Sequence, residues 1–195
     1  MMQMQDLRDR HAGETAYIVG CGPSLAHLRA EHFGPGPVIA LNDAIMLAQA
    51  LGLPNALYTL QKDGCFDGRA CYCQGEGALV RLLESTTLIV QRVFSEYCFP
   101  GHARRLVVDV RDLGFTRTGT MSIRMAAALA RQMGCSKIVF ACCDSLVTKD
   151  ARRFDITSGT AFQTTGSAHY LPNNPRLLRD LGKIPREFLT PQEQA

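Results

Sequence analysis

The chain has 195 residues, of which 46% are hydrophobic; this fits one ordinary globular domain and excludes a disordered or fibrous protein. The formal net charge is only +3, from 21 Lys and Arg against 18 Asp and Glu, so charge alone does not indicate a nucleic-acid-binding surface. No apolar run reaches the ~18 residues of a spanning helix, and charges stand within the first ten residues, where a secretion signal needs an apolar stretch, so we expect a cytoplasmic protein without a membrane span.

Short apolar runs rich in β-branched residues predict strands that are buried on both faces. In chain order they are AYIVG, PVIALN, ALYTL, TLIVQR, RRLVVDV and KIVFACCD. Helices are predicted for PSLAHLRAEHF, DAIMLAQALG, GALVRLLES and TGTMSIRMAAALARQMG, the last with Gly134 where a glycine ends a helix. This alternation predicts an α/β class: one Rossmann-like layered domain, with a mostly parallel sheet and helices on both faces.

The predicted domain spans residues 1–195 and binds a nucleotide. We expect frayed ends at residues 1–14 and 190–195. Regular patterning fades near residues 146–175, where Ser, Thr, Gly, Asn and Arg accumulate, and this composition predicts a lid-like loop rather than a second domain.

The eight cysteines favour free thiols in a reducing compartment over disulfides. Two of them, Cys142 and Cys143, stand side by side in an apolar strand, where cysteine behaves as a small buried hydrophobe. The group Cys65, Cys71 and Cys73 lacks the paired spacing of a structural zinc site. No D-x-D sequence occurs, so we expect no bound metal.

The stretch YIVGCGPSL breaks a buried strand with Gly20, Cys21, Gly22, Pro23 and Ser24. Small residues at a strand-to-helix turn let backbone N–H groups approach an anion, and the helix dipole adds positive potential. The stretch therefore predicts a phosphate-binding turn, although it is neither G-x-G-x-x-G nor a P-loop. A tight turn with no ligand is the alternative.

Polar residues also follow three other predicted elements. Asn42 and Asp43 end the second strand, and Asp144 ends the strand KIVFACCD. A second polar turn, of Thr118, Gly119 and Thr120, opens the Ala-rich helix. Each of these residues alone is typical of a helix cap, but the carboxyl ends of parallel strands meet at one sheet edge, where ligands bind.

The order of these motifs resembles that of the bacterial sialyltransferases of variant GT-A fold that use CMP-sialic acid. The motifs are the G-x-G-P-S-L turn, the Asn after the second strand, the T-G turn, the strand ending in Asp, and FD and HY downstream. The likeness covers about residues 16–175 in short blocks. The first block is similar also to archaeal-type pterin pyrophosphokinase-like proteins.

The sialyltransferase resemblance implies roles for the matching residues. The residues 20–24 would hold the nucleotide phosphate or ribose, Asn42 would contact the donor, and Asp144 would reach the ribose or base. Residues 118–120 would hold the sugar end or the phosphate. His169 would be the general base of a metal-independent inverting transfer from a nucleotide sugar, preferably a CMP-sugar, to a glycan or other hydroxyl acceptor.

The chain also departs from the family. The loop after the Asp strand has no tyrosine to bind the departing phosphate, so Arg152 or Arg153 is the predicted substitute unless both are solvated surface arginines. Cys21 stands where the family tends to carry Asn. These departures leave open an ATP-dependent pyrophosphokinase-like enzyme, with Asp43 and Asp144 among its carboxylates, and a nucleotide-binding or assembly protein without turnover. A homo-oligomer is compatible with each.

Overall fold

The computed structural model describes residues 2–61, 82–92, 101–115, 122–147, 152–156, 158–163, 179 and 182–192. Within these ranges the strands are β1 (Thr15–Val19), β2 (Val38–Leu41), β3 (Leu57–Gln61), β4 (Thr87–Gln91), β5 (Arg105–Val108), β6 (Lys137–Ala141), β7 (Arg152–Asp155), β8 (Thr160–Gln163) and β9 (Arg186–Leu189). The α-helices are α1 (Ala44–Ala50) and α2 (Ser122–Gln132).

Seven of the strands form one parallel sheet in the order β5-β4-β3-β2-β1-β6-β9. The chain runs outward from β1 to β5 and then returns to the other side of β1 to add β6 and β9. The six predicted strands are therefore present, and the Rossmann-like α/β class is confirmed. The reversal of strand order places a topological switch point between β1 and β6.

The two faces of the sheet are covered by different helices, because successive strand residues point to opposite sides. Ala16 and Ile18 of β1 belong to the core that α2 covers, whereas Tyr17 and Val19 belong to the core that contains α1. Helix α2 ends where the sequence predicts, with Gly134 at φ +79 and the Cys135 N–H donating to Ala130 O at 3.1 Å. None of the helices within the described ranges is long and apolar enough to cross a membrane.

The first predicted helix, PSLAHLRAEHF, is wrong in type. The chain forms two 3₁₀ turns, Pro23–His27 and Ala30–His32, with an extended residue, Leu28, between them (φ −67, ψ 133). Leu25 and Leu28 are both fully buried, and their spacing of three residues matches one turn of a 3₁₀ helix. The predicted helix GALVRLLES lies mostly outside the described residues.

The amino-terminal segment, predicted to fray, packs against the sheet instead. Leu7 is fully buried in the core beneath α2, and His11 is 9% exposed. The backbone of this segment is tied to the end of α2, since the His11 N–H donates to Met133 O at 2.8 Å.

Two elements in the carboxyl-terminal third differ from the sequence prediction. Part of the predicted lid-like loop, residues 146–175, forms the antiparallel hairpin of β7 and β8. Strand β9, which no apolar run marks, extends the sheet beside β6. Residues 148–151, 157 and 164–175 of the predicted loop lie outside the described residues.

Candidate functional site

The polar strand ends meet at the carboxyl edge of the sheet around the switch point. We call the turn at residues 20–24 the glycine corner; it follows β1 and lies between the ends of β2 and β6. In parallel α/β sheets this is the position where ligands bind.

The two glycines of the corner serve close packing against the end of β6. The Gly20 N–H donates to Ala141 O at 2.8 Å, and the Gly22 N–H donates to Cys142 O at 2.9 Å. A Cβ on Gly20 would lie 2.7 Å from Cys142 O, and one on Gly22 would overlap the Asp144 carboxylate. The absence of side chains here is explained by the neighbouring strand, and both amides are already used within the protein.

Asp144 places a carboxylate beside the first turn of the corner. Its Oδ2 accepts a hydrogen bond from the Ser24 hydroxyl at 2.8 Å and lies 3.4 Å from the Ser24 N–H, which also donates to it. Asp144 is only 9% exposed. The anion in contact with these donors is therefore a side chain of the protein, and a phosphate at the same point would face a like charge.

Asp43 approaches the corner from the other side. It precedes α1 but makes no side-chain capping hydrogen bond to that helix. Its Oδ1 instead accepts a hydrogen bond from the Cys21 thiol at 3.0 Å, and the same thiol lies 3.2 Å from Leu41 O. Asp43 is also 9% exposed. Two buried carboxylates thus converge on the glycine corner from the ends of β2 and β6.

Asn42 and Cys142 adopt left-handed backbone conformations where β2 and β6 end. Their φ angles are +50 and +54, and such values are uncommon outside glycine, above all for cysteine. Residues held in sparsely populated conformations concentrate at functional sites, so the two strand ends share a feature that is typical of such sites.

The β7–β8 hairpin is attached to the corner. The Phe154 N–H donates to Cys21 O at 2.7 Å, and the Phe154 side chain packs against the core on the α1 side. Arg152 lies two residues earlier on β7, hence on the same face as Phe154, and is exposed. The hairpin therefore places Arg152 on an element that contacts the glycine corner.

Sequence reasoning missed two glutamines at the same edge. Gln61 ends β3 and Gln91 ends β4, and they are 5% and 1% exposed. Gln61 Nε2 donates to Asn42 O at 2.7 Å and so supports the end of β2. Gln91 Oε1 has no hydrogen-bond partner among the residues that the structure describes. A glutamine as the last residue of an apolar strand was the signal that could have identified both.

The thiols beneath the corner are inert. Burial raises the pKa of Cys142 to about 12, although a hydrogen bond with Ser24 opposes the rise. Burial likewise raises the pKa of Cys143 well above its usual value. Both side chains remain protonated at neutral pH, and thiols in this state are poor nucleophiles.

Asp109 lies at the carboxyl end of β5, far from the corner. Its carboxylate accepts hydrogen bonds from the Arg111 side chain and backbone, which hold the pKa of Asp109 well below its usual range. The two residues form an exposed ion pair. Because β5 is three strands from β2, this carboxylate is about 14 Å from the nearest strand of the corner.

The predicted residues Thr118, Gly119, Thr120 and His169 lie outside the described residues, as do Cys65, Cys71 and Cys73. Where the structure does describe the chain, no group of three or more His, Cys, Asp or Glu side chains is arranged to hold a metal ion.

No protein-family model matches the chain, and no curated protein matches its sequence.

Proposed function

We propose that the protein is a glycosyltransferase that uses a nucleotide-sugar donor, and that the glycine corner holds the nucleoside half of that donor. The observation that carries the proposal is the convergence of Asp43 and Asp144 on the corner at the switch point of the sheet. In doubly wound folds a carboxylate after the second strand, where Asp43 lies, accepts a hydrogen bond from the ribose.

The position of the negative charge favours the ribose over the phosphate as the group nearest the corner. The Gly20 and Gly22 amides donate to backbone carbonyls, and Ser24 donates to Asp144. Ribose hydroxyl groups can donate hydrogen bonds to carboxylates, whereas a phosphate can only accept them. Of the two groups that residues 20–24 were predicted to hold, the phosphate or the ribose, we therefore propose the ribose. In this role the residues support Asp144 and shape the ribose site.

With the ribose at the glycine corner, the phosphate of the donor lies farther from the corner and needs a cationic partner. We assign this role to Arg152 on the β7–β8 hairpin. A guanidinium can bind two phosphate oxygens at once. The sequence resemblance supports the other roles: residues 118–120 at the phosphate or sugar, and His169 as the base that takes the acceptor hydroxyl's proton while the nucleotide leaves. Transfer of this kind needs no metal.

A second candidate, a nucleotide-binding protein without turnover, is favoured by one observation. The Gly20, Gly22 and Ser24 amides, which would stabilise a departing phosphate, donate to groups within the protein. A pyrophosphokinase-like enzyme remains the third candidate, because Asp43 and Asp144 are among the carboxylates that would hold its magnesium.

Calorimetric titration with CMP, UMP and ATP plus Mg²⁺ separates the three candidates by the ligand that binds. We expect CMP to bind most tightly and without metal. Preference for ATP with Mg²⁺ would support the pyrophosphokinase-like reading instead, and failure of all three nucleotides would contradict nucleotide binding altogether.

A donor-hydrolysis screen across nucleotide sugars tests turnover. We expect CMP-sugar hydrolysis by the native protein, its loss in His169→Ala with CMP affinity retained, and no change in His32→Ala. His32 is a suitable control because it lies in the turn before β2, at the opposite edge of the sheet. Equal hydrolysis by native protein and His169→Ala would remove the base assignment; CMP binding without hydrolysis would favour the second candidate.

A further inference from the structure

A cavity of about 430 Å³ lies at the amino edge of the sheet, where β3 and β4 begin. Its walls come from the loop between α1 and β3, from the residues before β4, and from Arg10 and Arg104. We call it the amino-edge pocket. The length of a five-residue strand, about 16 Å, separates it from the glycine corner, so one small ligand cannot occupy both places.

The charge of the amino-edge pocket is positive. Arg10 and Arg104 are among the lining residues, and none of the described lining residues is an aspartate or a glutamate. Neither guanidinium forms an ion pair with a carboxylate within the part of the chain that the structure describes. Arginine presents a planar fork of donors that matches phosphate and carboxylate groups.

The wall formed by Tyr58 is held in place from behind. Tyr58 is 2% exposed, and its hydroxyl lies 2.8 Å from His11 Nε2. His11 Nδ1 lies 2.9 Å from Glu14 Oε2. A carboxylate only accepts hydrogen bonds, so Nδ1 donates to it, and Nε2 can then accept the Tyr58 hydroxyl proton. Burial raises the pKa of Tyr58 against the opposing effect of Arg10 and Arg104, so the phenol stays neutral and does not repel an anion.

The other walls are also fixed by hydrogen bonds. Asn55 Nδ2 donates to Gly34 O at 2.9 Å and to Gly36 O at 2.7 Å. Gln49 Oε1 accepts the Leu83 N–H at 2.9 Å. A pocket whose walls are held in this way loses little conformational entropy when it binds a ligand.

We propose that the amino-edge pocket binds a small organic anion, with its phosphate or carboxylate head between Arg10 and Arg104. The body of the ligand packs against the apolar part of the wall, formed by Leu53, Pro54 and Leu83. The site is independent of the nucleotide proposed at the glycine corner, and either assignment stands if the other fails.

The test is calorimetric titration of the full chain with phenyl phosphate, benzoate and, as the neutral counterpart, benzyl alcohol. We expect at least one anion to bind, benzyl alcohol to bind at least tenfold more weakly, and the preferred anion to identify the head group. Arg10→Gln and Arg104→Gln should each weaken that anion fivefold or more.

Arg186→Gln is the matched control, because Arg186 is an exposed arginine at the start of β9, on the same edge but four strands from β3. It should change affinity less than twofold. Absence of binding by both anions, equal binding of benzyl alcohol, or an equal loss in Arg186→Gln would each overturn the proposal. Arg10 is exposed, so its variant decides the matter even if Arg104→Gln does not fold.

Discussion

Replacing Gly22 with alanine tests whether the glycine corner exists for packing or for ligand approach. Gly22 has φ −71 and ψ 168, a conformation that alanine adopts without strain. The destabilisation therefore comes from the added methyl group, which would overlap the Asp144 carboxylate and lie 2.8 Å from Cys142 O.

The expected cost follows from what must move. Displacing the Asp144 carboxylate breaks its hydrogen bonds with Ser24, which contribute about 1.5–3 kcal/mol for a charged acceptor. Forcing a methyl group into a packed site adds about 1–3 kcal/mol. We expect Gly22→Ala to lower the free energy of unfolding by about 2.5–6 kcal/mol in the absence of any ligand.

Urea denaturation measures this loss, and Gly101→Ala is the control. Among the residues that the structure describes, none lies within 4 Å of a Cβ on Gly101, so we expect a change of less than about 0.5 kcal/mol. If Gly22→Ala unfolds at the same urea concentration as Gly101→Ala, the packing explanation of the corner is refuted.

Three further predictions concern stability. Tyr58→Phe removes the hydrogen bond to His11 Nε2 and should lower the melting temperature by about 2–4 °C, for a loss of about 1 kcal/mol; an unchanged temperature would show that the bond contributes nothing. Burial raises the pKa of Cys135 to about 11 and that of Cys142 to about 12, so as the pH rises both thiols ionise first in the unfolded chain. Their contribution to the free energy of unfolding should be fully present below pH 9 and fall above it by about 1.4 kcal/mol per pH unit for each thiol. Urea titrations at pH 8 and 10 measure this loss, which should be smaller in Cys135→Ala. Gly134→Ala should destabilise the protein more than Gly52→Ala. Both glycines have positive φ, but an added Cβ would meet a described neighbour only at Gly134, where Ala12 Cα lies 3.0 Å away; equal urea midpoints would contradict this.

The central strands and α2 could be predicted because their signals are local. Each of the six strands is an apolar run that the sheet buries, and Gly134 marks the end of α2 by its positive φ. Strand β9 carries no such signal, since as an edge strand it is mostly exposed and contains Arg186 and Glu187. The hairpin of β7 and β8 is equally polar, and the sequence predicted a loop there; Gly159, which has φ +69 in the turn, was the signal that could have indicated the hairpin.

For the candidate site, the sequence predicted where the two aspartates lie in the sheet but not where their carboxylates point. Asp43 and Asp144 were expected at the sheet edge because each follows a buried strand. Nothing in the sequence indicated that both carboxylates turn toward the glycine corner, because that depends on β1 lying between β2 and β6. The glycines were interpreted as an approach for an anion, whereas the structure shows that they admit the end of β6.

The most direct test of the proposed nucleoside site is the affinity for CMP of Asp144→Asn, compared with native protein and Asp109→Asn. Asparagine keeps an acceptor for the Ser24 hydroxyl but removes the charge, and the loss of a charge-assisted hydrogen bond to ribose should weaken CMP tenfold or more, about 1.4 kcal/mol. Asp109 lies at the end of the distant strand β5, so Asp109→Asn should leave the affinity for CMP unchanged. Equal affinities in all three proteins, or no CMP binding by the native one, would contradict a nucleoside site at the glycine corner.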